Sequence, residues 1–189
     1  DEGIVNCRDH VIRMNQLINE TSESDNNKNK NKNKIYPVTK IDVSITDNII
    51  SLYNDGNGID VSIHPEYNIW IPELIFGHLR TSTNYDKSKK KIVGGKNGFG
   101  FKLVLIWSTW GQIETVDSNS GQKYVQTFKN NLDIIEKPII TKTKEKPYTC
   151  VKFKPDFKRL GIDGLNEDFK GLLMRRIYDI AAITEKSVN

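Results

Sequence analysis

Four stretches in the second half of the chain, residues 112–116, 123–128, 134–141 and 148–153, read as short extended runs. Turn signals separate them: Ser118-Asn119-Ser120-Gly121, Asn130-Asn131 and Lys146-Pro147. This punctuation restricts that half to a sheet with short returns, an antiparallel meander. In the first half, Lys40-Ile41-Asp42-Val43-Ser44-Ile45-Thr46 alternates apolar with polar residues, Asp47-Asn48 supplies a turn, and residues 49–53 resume the extended run, the pattern of a β-hairpin. Helical patterns flank these strands. Ile4, Val5, Val11, Ile12, Met14, Leu17 and Ile18 approximate one stripe over residues 2–19. Pro72 suits the first turn of a helix running to Leu79, and the apolar run 101–107 forms another. Leu172, Leu173, Arg176, Ile177, Ile180 and Ala181 mark a closing helix that starts near Asn166. The expected fold class is α+β, a two-layer sandwich with helices on one face of a mainly antiparallel sheet.

At 189 residues the chain has the size of one domain. Its formal charge of +4 belongs to one segment: residues 26–34 (NNKNKNKNK) carry four lysines and no acid, so the other 24 basic residues balance the 24 acidic ones. Alternating Asn and Lys cannot bury apolar area, and a disordered insertion at about 22–36 is expected; contact of its lysines with DNA phosphates stays open. No run of about 18 apolar residues is present and Asp1-Glu2-Gly3 is not a signal-peptide start, so neither a membrane span nor a membrane partner is expected. Cys7 and Cys150 lack CxxC spacing, and His10, His64 and His78 show no ligand pattern, so both thiols are expected reduced and no zinc site is expected.

The chemistry-bearing residues fall in three places. Glu2 and Asn6 are spaced i, i+4 on one helix face, where a carboxylate can activate water and an amide oxygen can coordinate a hard cation such as Mg²⁺; the same Glu also simply complements the helix dipole. Asn54-Asp55-Gly56-Asn57-Gly58 is a turn after a strand, or a close backbone approach to a flat base with an Asn side chain on an adenine edge. The segment 94–100 (GGKNGFG) leads into a helix whose N-terminal N–H groups favour phosphates, with Lys96 and Lys102 adding charge. The two common phosphate-binding patterns, GxxxxGK[ST] and a strand–GxGxxG–helix, are absent.

Taken together and in this order, the three motifs resemble the Bergerat ATP-binding fold shared by gyrase, Hsp90, MutL and histidine kinases. The strings IPELIFGHLRTSTNYD (71–86), GGKNGFGFKL (94–103), YTCVKFKPD (148–156) and RRIYDIA (175–181) narrow the resemblance to the ATPase domain of eukaryotic-type DNA topoisomerase II, over nearly all the chain except the Asn/Lys tract. The resemblance implies ATP and Mg²⁺ as ligands, Glu2 as general base and Asn6 as metal ligand. It implies Asn54 as adenine reader, Ile59, Ile75 and Phe76 as apolar walls, and Ser82, Thr83 and Asn84 on ribose and phosphates. Lys96, Asn97, Gly98, Phe99, Gly100 and Lys102 match the phosphate-wrapping loop, and Thr81 to Lys91 has the composition of a lid.

The chain departs from the family pattern in places. His10 stands where the family usually has Asn, Asn57 where the cellular enzymes have a lysine, Lys96 for an arginine and Phe99 for a tyrosine. In the full-length enzyme the resemblance implies a homodimeric N-gate driving passage of one DNA duplex through a double-strand break in another, in the nucleus or, for a viral source, in the host cell. The family's dimerising strap and its transducer domain are expected to lie outside this stretch, leaving it weakly hydrolytic alone. Another Bergerat-fold ATPase and a catalytically silent nucleotide-binding interaction module are the alternatives.

Overall fold

The computed structural model describes residues 1–23, 34–46, 48–78 and 100–189. Helix α1 (Glu2–Glu23) is followed by β1 (Ile41–Thr46), β2 (Ile49–Asp55), α2 (Ile71–Gly77), α3 (Gly100–Ile106), β3 (Ser108–Val116) and β4 (Gln122–Lys129). Then come β5 (Ile134–Ile135), β6 (Ile139–Lys142), β7 (Tyr148–Pro155), the single turn α4 (Phe157–Leu160) and α5 (Glu167–Ala182). Seven strands form one sheet in the order β1-β2-β7-β3-β4-β5, with β6 also on β4, and every pairing is antiparallel. The expected meander is corrected by this order. β7 does not follow β6 at an edge but enters between β2 and β3, pairing Leu52 with Val151 and Val151 with Ile113. Those three residues are buried in one cluster, so the shared apolar face sets the register.

Helices cover one face. Ile4 and Cys7 of α1, Phe76 of α2, Phe101 and Leu105 of α3 and Ile180 of α5 pack on Leu52, Ile113, Phe128 and Val151 of the sheet. Four buried apolar residues of α1, Ile4, Cys7, Val11 and Met14, recur at helical spacing, and the helix runs four residues past its expected end. Among those extra residues Thr21 and Ser22 return their hydroxyls to carbonyls one turn back. In α5, Asn166 caps the first turn by accepting from the Phe169 amide at 2.9 Å. Leu172, expected on the buried stripe, faces solvent instead. The single strand expected over 134–141 is two short ones, because Pro138 between them has no N–H to give a ladder.

A second cluster lies at the far end of α1, where Val11 and Met14 meet Val38, with Val188 packed against them. The chain's last residues run beside the start of β1: the Ile41 amide donates to the Asn189 carbonyl at 2.8 Å and the Asn189 amide to Thr39 at 2.9 Å. Cys7 and Cys150 are both free thiols, and burial pushes Cys7 up to about 12. Among the described residues no helix is long and apolar enough to cross a membrane.

Candidate functional site

Between α1, α2 and the β2–β7 pair lies a cavity of about 460 Å³. Asn6, His10, Asn54, Ile59, Ile75 and Phe76, all named from sequence, line it together. Each arrives by a different local rule. Asn6 and His10 are one turn apart on α1, on the face adjoining the buried stripe. Asn54 ends the inward alternation Ile50, Leu52, Asn54 of β2, so it sits on the helix side of the sheet and is only 7% exposed. Its amide nitrogen donates to the Asp55 carbonyl at 2.8 Å, which fixes the rotamer and leaves the amide oxygen as the acceptor end. Ile59 follows in a loop lashed to the end of β3: its amide donates to Thr115 Oγ1 at 2.9 Å, and the Val61 amide to the buried Asp117 at 3.3 Å.

Opposite, α2 presents Ile75, half turned to solvent, beside buried Phe76. The helix is held down by a polar chain through the sheet: Tyr124 Oη donates to Gln126 Oε1 at 2.8 Å, and Gln126 Nε2 donates to Glu73 Oε2 at 2.7 Å and to the Glu136 carbonyl at 2.9 Å. Phe76 meets Phe101 edge to face, ring centroids 5.5 Å apart, tying α2 to the first turn of α3.

Glu2 lies just outside the cavity wall, exposed, in the first turn of α1. Its carboxylate abuts the start of α3 so closely that a Cβ on Gly100 would stand 1.9 Å from Glu2 Oε2. Position 100 therefore admits no side chain while Glu2 keeps this place. Two residues on, Lys102 is 3% exposed, and burial lowers its pKa.

His10 is the unusual member. Its ring rests against Gly56, where φ is +107° and a Cβ would meet Nε2 at 2.8 Å. Nε2 is buried with no hydrogen-bond partner. Burial pushes the imidazole down to about 4, the Arg13 charge adding to this and Asp55 opposing it, so the ring is neutral at pH 7. Asn57 does not line the cavity: its Oδ1 accepts from the Tyr36 amide at 2.7 Å. With Asp55, which accepts from the Thr39 amide and hydroxyl and the Lys40 amide, it stitches residues 36–40 to the Asn54–Gly58 loop.

Ser82, Thr83, Asn84, Lys96, Asn97, Gly98, Phe99 and the lid at Thr81 to Lys91 lie outside the described residues. Sequence reasoning passed over Arg13, Asp60 and Thr149, which also line the cavity. Thr149 had a readable signal, since it stands inside the string YTCVKFKPD and faces Thr115 Oγ1 at 3.0 Å. Among the described residues no group of three or more His, Cys, Asp or Glu is gathered to hold a metal ion. Asn6, exposed and one turn from Glu2, offers one hard oxygen ligand, which fits a cation that brings its other oxygens with a phosphate chain.

No family model matches the chain. It is 48% identical over 151 residues to DNA topoisomerase 2 of Acanthamoeba polyphaga mimivirus, covering 80% of this chain and 12% of the relative. To DNA topoisomerase 2 of Saccharomyces cerevisiae it is 51% identical over 144 residues, 75% of this chain and 10% of the relative. In structure it is similar to the ATPase region of Saccharomyces cerevisiae topoisomerase II, with a TM-score of 0.82 and 44% identity over 95% of this chain and 43% of that one. It is similar also to the ATPase and transducer domains of DNA topoisomerase II from Balamuthia mandrillaris, with a TM-score of 0.80 and 36% identity over 96% of this chain and 43% of that one. The chain thus spans about a tenth of the length of the curated relatives it matches.

Proposed function

We propose that this chain, homologous to the ATPase region of DNA topoisomerase II, binds Mg·ATP in the cavity between α1, α2 and the sheet and hydrolyses it. The observation that carries the reading is convergence. Asn6, His10 and Asn54, taken from motifs almost fifty residues apart, line one cavity whose remaining walls include Ile59, Ile75 and Phe76. The base lies flat between those apolar side chains, and its exocyclic amino group donates to the amide oxygen of Asn54. The phosphates run along α1 toward Gly100 and Lys102 at the start of α3. Glu2, exposed at that same end, accepts a proton from the attacking water and holds it in line with the terminal phosphate. Asn6 would hold Mg²⁺, which when bound neutralises charge on the phosphate oxygens. Thr149 supplies a hydroxyl behind the base and His10 a neutral ring beside it.

In the full-length enzyme this region serves as the ATP-driven gate of a homodimeric type II topoisomerase that passes one DNA duplex through a break in another. Its setting is the nucleus, or the host cell if the source is viral; a virus and fungi both supply relatives. Calorimetric titration of a non-hydrolysable ATP analogue, with and without Mg²⁺, tests the site. Binding that requires Mg²⁺ and falls about tenfold in Asn54→Ala, about 1.4 kcal/mol, is expected. A folded chain that binds no nucleotide overturns the reading. In the full-length enzyme Glu2→Gln abolishes turnover while sparing binding; unchanged turnover instead promotes the silent module.

A further inference from the structure

The sheet face turned away from the helices has a chemistry of its own. Strands β4 and β7 point Tyr124, Phe128, Val151 and Phe153 inward, and the alternation sends Lys129, Lys152 and Lys154 outward. Register aligns them across strands. Lys129, Trp110 and Lys154 form one row, and Thr127, Gln112 and Lys152 the next. Just past the end of β7, exposed Lys158 and Arg159 extend the charge, with the Arg159 guanidinium 4.1 Å from the Trp107 ring centroid.

Two acids near this patch are already engaged. Glu136 pairs with Lys129, while Asp156 accepts from the Arg159 amide and from Asn131. Among the described residues Lys152, Lys154 and Lys158 make no ion pair. The neutral sum outside the Asn/Lys tract hides this asymmetry, since residues 122–159 hold ten Lys and Arg against four Asp and Glu.

We propose that this face binds the phosphate backbone of duplex DNA without sequence preference. Charge alone selects a polyanion; the choice of DNA rests on the function proposed above. Spacing suits the backbone, because residues two apart on a strand are about 7 Å apart, close to the rise of two phosphates along one DNA strand. Trp107 is covered on one side by Arg159 and Trp110 is half-buried, so neither is the open platform on which single-stranded bases stack.

The test is fluorescence anisotropy of a labelled 30-base-pair duplex titrated with this chain between 50 and 200 mM salt. It compares the unaltered chain with K152E/K154E/K158E, the milder K152Q/K154Q/K158Q, and a chain lacking residues 26–34. Charge reversal is expected to weaken binding about tenfold or more at 50 mM salt and to flatten the log–log salt slope by two to three, with neutralisation doing so less. Deleting the tract leaves most of the binding. No duplex binding at 50 mM salt, equal binding by the charge-reversed chain, loss on tract deletion alone, or equal displacement by polyglutamate each overturns the proposal. Nucleotide titration of the same proteins separates the two readings: the lysines lie across the sheet from the cavity, so reversal leaves nucleotide binding intact. A chain that binds duplex through these lysines but no nucleotide refutes the cavity reading alone.

Discussion

His10 ties the stability of the fold to pH. Its folded-state pKa is depressed to about 4, below the ordinary 6.5, because the buried ring excludes its charged form. The unfolded chain therefore takes up the proton first as pH falls. Stability tied to this ring is complete above about 6.5 and drains away toward pH 4, by roughly 3 kcal/mol at full depth. Urea unfolding between pH 7.5 and 4.5 checks this: the midpoint should fall more steeply in the unaltered chain than in His10→Asn. Gly100 gives a second prediction. Gly100→Ala puts a methyl where Glu2 Oε2 stands, so in the full-length enzyme turnover should drop by an order of magnitude or more while nucleotide affinity moves far less. Equal losses in both would show that the glycine serves binding rather than the placement of Glu2. At this scale the sequence was informative where a residue's neighbours are local. The four-residue step from Glu2 to Asn6 suffices to put those two on one helix face, and the period of two in β2 puts Asn54 on the buried side of its strand. The partner of Asn57 was not legible, since Tyr36 reaches it only through the fold.

Among the elements, α2 depends on a polar anchor rather than on its length of seven residues. Gln126→Leu would leave the buried Tyr124 hydroxyl without its partner and take one hydrogen bond from the half-buried Glu73, which keeps His78 beside it, at a cost of about 2 kcal/mol. Denaturant midpoints measure the loss, and the apolar wall formed by Ile75 and Phe76 should loosen with it, seen as weaker nucleotide binding. Most elements could be read from the sequence because each carries its own period or cap: the stripe of α1, the hairpin alternation, Pro72 in α2 and Asn166 before α5. The placement of β7 could not. Short runs with turns between them predict neighbours in sequence order, whereas its position follows from matching Val151 to Leu52 on one side and to Ile113 on the other, a choice made by the whole core.

For the whole molecule, that choice joins the two halves of the chain. β2 and β7 are about a hundred residues apart in sequence, and without β7 the sheet is a hairpin and a separate β3–β4 group with no ladder between them. A chain ended after Lys146 should therefore show no cooperative unfolding transition by circular dichroism, although α1, the hairpin, α2 and α3 all precede that point. A sharp transition in that shortened chain would mean that α1 and the hairpin suffice as a folding unit. The other margin of the sheet carries a different consequence. An exposed strand edge is a template on which a second copy can add by the same hydrogen bonds that build the ladder. The outer edge of β1 has its first outward amide, that of Ile41, already given to Asn189, and the Lys40–Asp42 pair adds charge beside it. The closing residues of the chain thus act as a stopper against self-templated growth, so that losing their grip on Thr39 and Ile41 converts a question of folding into one of concentration.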